Sequence, residues 1–209
     1  MAPTPWKPTV GEAARGGMIG KQRFLSTGFG FDNQTRTRRI TAVTTNRSEA
    51  RQSSGGTAVS KKEQTIIDAL RKAYSMEMET ATNYVSCSIN LDGVRAEEIK
   101  KALAADVQEE LMHAQRLGTR IKTLGGTVPG SLGLNYGQTD LQPPNDHTDV
   151  VAIIKGVIHA EDAACQHYNS IIKLCEGTDY VTQELCIELL GMEEEHRRQF
   201  RGYLKEYEK

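Results

Sequence analysis

Long apolar runs are missing from this chain. Hydrophobic residues make up 38% of its 209 positions. Nowhere do they gather into the roughly 20 unbroken apolar residues that span a bilayer, which excludes a membrane protein. Paired cysteines are missing too: the four that are present form no Cys-x-x-Cys, which excludes a zinc ribbon and a disulfide framework. No apolar secretory segment is found near the start, so a reducing interior compartment, the cytoplasm, is the expected location. Acid is scarce in one part only. Residues 1–60 carry nine Lys and Arg against three Asp and Glu, and the remainder carries 17 against 24, so a net charge of −1 conceals a basic arm on an acidic domain.

Residues 1–60 also lack hydrophobic periodicity. They hold eight of the 19 glycines, many Ser and Thr, and scattered arginines such as Arg36, Arg38, Arg39, Arg47 and Arg51. With so little to bury against the entropy of ordering the chain, they read as a disordered extension, with Met18 as an alternative start. The same composition suits a cleaved organellar transit peptide, and its positive charge suits the phosphates of DNA. The sequence leaves these three readings open.

From residue 61 to 209 the texture changes to four amphipathic runs, expected over about 62–91, 94–124, 149–176 and 179–207. Their apolar positions recur at steps of three and four: Ile66, Leu70, Tyr84; Ile99, Leu103, Leu117; Ile154, Val157, Tyr168; Leu189, Phe200, Tyr203. Such steps mark helices with one face turned inward, and strand alternation appears nowhere. Gly93, Gly125-Gly126 and Gly177 read as helix ends, and Thr148 and Thr178 as N-caps with Asp149 and Asp179 in the first turns. Two connections are short and force antiparallel hairpins. The third, 125–147, has 23 residues, enough to run back along a helix of about 45 Å. The expectation is all-α: a four-helix bundle of two hairpins with one long crossover, the ferritin-like topology.

Each inner stripe carries a carboxylate where an apolar residue belongs: Glu77, Glu110, Glu161 and Glu193. Two of them have a histidine three residues on, His113 and His196. Ionised carboxylates enter a bundle core only when paired or metal-bound, because desolvation costs several kcal/mol per ion. Two divalent cations would supply four positive charges against four negative ones. Glu-x-x-His spacing puts both side chains on one helix face, within reach of one metal pair. Glu79, Glu194 and Glu195 fall off these lines, and Glu109 lacks the histidine three residues on that Glu110 has. Oxygen and imidazole donors suit Fe, Mn or Zn without choosing among them. Tyr84 and Tyr168 lie two turns from Glu77 and Glu161 and can reach the site. Asp106, one turn before Glu110, is placed to fix a histidine tautomer. His147, His159 and His167 fall off the stripes and read as surface or loop histidines.

The motifs Met-Glu-Met-Glu-Thr-Ala-Thr-Asn-Tyr (76–84), Glu-Leu-Met-His-Ala-Gln-Arg-Leu (110–117), Glu161 with Tyr168, and Met-Glu-Glu-Glu-His (192–196) resemble those of the ferritin-like superfamily, most of all its bacterioferritin branch. The resemblance implies a di-iron centre in which Glu110 and Glu193 bridge, Glu77 and His113 complete one iron, and Glu161 and His196 complete the other. It implies ferroxidase activity, oxidising Fe(II) with O2 or hydrogen peroxide and sequestering the ferric product inside a homo-oligomeric shell. Leu111 stands where haem-binding members carry methionine, so haem is not expected. Only 13 residues follow His196, which leaves no fifth helix of the 24-subunit kind and favours the 12-subunit, Dps-like cages. Members of that group carry cysteines near the site. Here Cys165 and Cys186 lie one and two turns from Glu161 and Glu193, a pair that could relay electrons or simply pack. A rubrerythrin-like peroxidase is the enzymatic alternative, weakened by the missing Cys-x-x-Cys module. A DNA-protecting cage that uses the basic arm is the binding alternative.

Overall fold

In the computed structural model, which describes residues 60–208, Ser60 opens the first helix with a reciprocal cap. Its hydroxyl accepts from the Glu63 N–H while Glu63 accepts from the Ser60 N–H, satisfying two backbone donors at once. Helix α1 then runs Lys61–Asn90, α2 Glu97–Thr123, α3 Val150–Cys175 and α4 Tyr180–Tyr207. No strand occurs among the described residues. The readings of residues 1–60 as extension, transit peptide or DNA-binding arm lie outside the described residues. No described helix is long and apolar enough to cross a membrane.

The helix ends differ in detail from the sequence expectation. Asp149 and Asp179, rather than Thr148 and Thr178, are the N-caps of α3 and α4, their carboxylates accepting from the N–H groups of Ala152 and Thr182. An ionised acceptor satisfies the orphan donors and also meets the positive end of the helix dipole. Gly93 does not close α1. It adopts φ +94° beyond the extended Leu91 and begins a single turn of 3-10 helix, Val94–Ala96, that leads into α2. Gly125 does end α2 as expected, at φ +82°, with its N–H bonded to the Lys122 carbonyl and that of Gly126 to Ile121.

α1 pairs with α2 and α3 with α4 as antiparallel hairpins, and α1 also packs on α3. The crossover between Thr123 and Val150 is tied to both hairpins. Glu79, off the ligand line, is buried, and its carboxylate accepts from the backbone N–H groups of Gly137 and Gln138, each at 2.7 Å. On α3 the Asp140 carbonyl lies so near Gly156 that a Cβ there would sit 2.5 Å from it. Only glycine lets the strap lie this close.

Two apolar clusters fill the interior. One gathers Tyr84, Leu91, Leu103, Ile154, Val157 and Phe200, and the other Ile66, Leu70, Leu117, Tyr168, Ile171 and Leu189. Each fully buried side chain of this size contributes about 1.5–3 kcal/mol. Along α1 the carboxylate of Glu77 sits between Leu70 of one cluster and Tyr84 of the other, and Glu110 falls likewise between Leu103 and Leu117 on α2. The acids occupy a polar layer between two greasy ones.

Candidate metal centre

Glu77, Glu110, Glu161 and Glu193 are all at most 2% exposed, His113 is fully buried and His196 is 5% exposed. Their donor atoms form two overlapping groups. Glu77, Glu110, His113 and Glu193 each offer an atom within 4.8 Å of the others, and so do Glu110, Glu161, Glu193 and His196. Glu110 and Glu193 belong to both groups.

The spacing suits ions rather than direct bonds. His113 Nδ1 lies 3.8 Å from oxygens of Glu77 and Glu110 and 2.8 Å from Glu193. His196 Nδ1 lies 3.5 Å from Glu110, 4.0 Å from Glu161 and 3.3 Å from Glu193. Donors about 2.1 Å from a common cation stand roughly 3–4 Å from one another. Both Nδ1 atoms, Glu110 Oε1 and both oxygens of Glu193 are buried without an aligned hydrogen-bond partner. Buried orphans of this kind each cost about 1–3 kcal/mol, and two cations, one in each group, would satisfy all five. The oxygen and imidazole donor set, with no thiolate among it, fits iron, manganese or zinc.

Without a cation, protons balance the charge. Burial, then the neighbouring charges of Glu193 and Glu77, holds the Glu110 carboxyl well above the usual range; burial and Glu193 raise Glu161 as well. Burial also acts on Glu193, but the imidazoles of His113 and His196, 2.8 and 3.3 Å away, outweigh it and bring that carboxylate down to about 2. For the imidazoles burial opposes charging. The carboxylates overcome it, taking His113 up to about 9 and His196 to about 10.

The tyrosines reach the acids crosswise. Tyr84 of α1 donates to Glu161 Oε1 of α3 at 2.5 Å, and Tyr168 of α3 donates to Glu77 Oε1 of α1. Asp106 is buried beside the cluster, yet it is Glu109 that holds His196, with Glu109 Oε2 3.0 Å from Nε2. Asp106 Oδ2 has no hydrogen-bond partner, although Asp106, Glu109 and His196 offer atoms within 4.8 Å of one another. Sequence reasoning missed Glu109 because the residue three positions on is Met112, not a histidine. Met192, a thioether beside the ligand stripe of α4, carries no charge to single it out, and its Sδ lies 3.2 Å from His113 Nε2.

The cysteines separate. Cys165 has Arg197, Glu161 and Glu193 as its charged neighbours, whereas Cys186 packs with Cys175 in the apolar cluster, and burial pushes its thiol up to about 12. His147 and His159 are exposed and paired with Asp92 and Asp140. His167 is not a surface histidine: it is half-buried, with Nε2 2.9 Å from the Ala69 carbonyl.

A family model described as Ferritin, ferritin-like domain, matches residues 67–209. The chain belongs to the ferritin-like family. Bacterioferritin of Desulfovibrio desulfuricans is 28% identical over 134 residues, covering 63% of this chain and 69% of that one. A solved structure of a dodecameric thioferritin, the bacterioferritin-related protein from Bacteroides fragilis, superposes with a TM-score of 0.59 at 22% identity, over 69% of this chain and 87% of that one. An X-ray structure of Desulfovibrio desulfuricans bacterioferritin, with its diiron site in different catalytic states, gives 0.57 at 24% identity, covering 69% and 80%. The last two likenesses establish the bundle, and in this ferritin-like chain the polar layer lies between α1, α2, α3 and α4, one acid from each.

Proposed function

We propose that this ferritin-like domain is an iron-storing ferroxidase, with Glu77, Glu110, His113, Glu161, Glu193 and His196 as its metal ligands. A single observation carries the reading: two four-donor groups share Glu110 and Glu193 in a buried layer where both histidine Nδ1 atoms, Glu110 Oε1 and both Glu193 oxygens lack an aligned hydrogen-bond partner. Two ferrous ions held side by side supply both electrons that O2 or hydrogen peroxide accepts, so no one-electron radical need be released. The protein's part is to position and insulate. Glu110 and Glu193 span the two groups, Glu77 and Glu161 close the two ends, and Tyr84 and Tyr168 hold those end carboxylates by hydrogen bonds from opposite helices. The apolar clusters on either side exclude water, which strengthens every charge interaction within the layer. Manganese and zinc suit the same donors as substitutes.

Storage requires a shell, and likeness to a dodecameric protein supports a twelve-subunit assembly over a larger one. Aerobic addition of Fe(II) to the purified protein, followed by sizing and iron counting, tests both halves of the reading. Many irons per subunit in a large particle is the expected result. About two per subunit in a small particle would instead make the protein a di-iron redox enzyme that stores nothing, and no oxidation above the buffer rate would overturn the ferroxidase reading.

A further inference from the structure

The two histidines of the cluster are braced from behind by chemically unlike groups. Each aims Nδ1 inward at the carboxylates, so in a metal-binding neutral imidazole each Nε2 carries the proton. His196 Nε2–H then donates to the Glu109 carboxylate at 3.0 Å, with Asp106 close by. His113 Nε2–H donates to the Met192 thioether at 3.2 Å.

These acceptors differ in what they do to the ring. A hydrogen bond to an ionised oxygen is roughly twice as strong as a neutral one. It also pulls the proton outward, leaving more negative charge on the nitrogen that faces the metal and making it a better donor. A thioether accepts weakly and leaves the imidazole almost unpolarised. The four carboxylates are divided evenly: one end acid for each half, and two shared. The difference between the halves therefore lies in the braces.

We propose that the two halves of the site are unequal: the Glu161–His196 half, braced by Glu109, binds a divalent cation first, and the Glu77–His113 half, braced by Met192, binds second and exchanges more freely. The inference rests on the two-ion reading above and assigns a positioning role to two residues that touch no metal. Loss of a histidine's outer partner costs about 10–100-fold in metal affinity, which sets the expected size of the gap.

The test is an anaerobic titration of the chelator-stripped full chain with Co(II), followed by calorimetry and by the visible absorption of bound Co(II). Wild type shows two steps separated by about tenfold or more. Glu77→Ala removes only the weaker step, which assigns it. Glu109→Gln keeps an acceptor for the Nε2 proton but removes the charge. That carboxylate is 53% exposed, so the fold tolerates the change. In this variant the tighter step falls toward the weaker one and the weaker step stays put. Met192→Leu moves neither step by more than about threefold, since a weak acceptor is all that is lost. Two ions bound with one affinity, equal weakening of both steps by Glu109→Gln, or loss of a separate third ion in that variant would each overturn the inequality while leaving the two-ion site standing. Fewer than two Co(II) per subunit would remove both.

Discussion

Tyr84 on α1 donates its phenol hydrogen to Glu161 on α3 at 2.5 Å, so the acid at one end of the cluster is oriented by the helix that carries the acid at the other end. Tyr168 returns the same contact to Glu77. The two hairpins are stitched together at the level of the buried acids.

Tyr84→Phe removes one of these stitches. With Glu161 held protonated in the chelator-stripped protein, a neutral hydrogen bond is worth about 0.5–1.5 kcal/mol, so the stripped variant should melt a few degrees lower in circular dichroism. Initial Fe(II) oxidation should slow more than it does for a surface control such as Tyr136→Phe, because Glu161 is then free to rotate. An unchanged rate would show that packing alone orients the acid.

The chelator-stripped protein should lose stability as pH rises from about 6.5. His113 and His196 charge at about 9 and about 10 in the folded protein against 6.5 unfolded, so their contribution is complete below 6.5 and lost as pH passes through those values. Glu110 and Glu161, held protonated by burial, act in the same direction, since ionising them in the core becomes unavoidable at high pH. The loss should be several kcal/mol, read as a falling midpoint in urea. Adding Zn(II) should flatten the profile and release protons, about two of them from His113 and His196 near neutral pH.

Glu110→Leu should separate stability from function. The side chain is 1% exposed, and burial together with the charges of Glu193, Glu77 and Glu161 works against its ionisation. Replacing it with an apolar residue should raise the stability of the stripped protein by about 1–4 kcal/mol, while calorimetry finds metal uptake sharply reduced. A variant that is both less stable and fully active would show that Glu110 is not a shared ligand.

Cys165→Ser with Cys186→Ser should leave peroxide-driven Fe(II) oxidation within about twofold. Burial holds both thiols at about 11 and about 12, far from the thiolate that redox exchange requires. Cys186 keeps company with Cys175 rather than Cys165. A large drop in turnover at unchanged melting temperature would restore the electron-relay reading.

Much of the bundle could be read from residue spacing. Steps of three and four place Leu70, Glu77 and Tyr84 on one line whatever surrounds α1, because helix geometry is local, and the same holds for the Glu-x-x-His pairs on α2 and α4. The length of the crossover decided the topology for an equally local reason, the reach of an extended chain.

Periodicity says which residues share a face, not what the face meets. Tyr84 bonds Glu161 rather than an acid on its own helix; Glu79 leaves the line of Glu77 to anchor Gly137 and Gln138; Glu109 and Met192 sit behind the two histidines. Each of these pairings depends on the rotation and axial offset of one helix against another. Side chains packed throughout both hairpins set those two quantities together, so no single stretch of sequence contains them. The sequence alone determined that four acids and two histidines would turn inward at one level; only the packing of the helices decided which neighbours brace them.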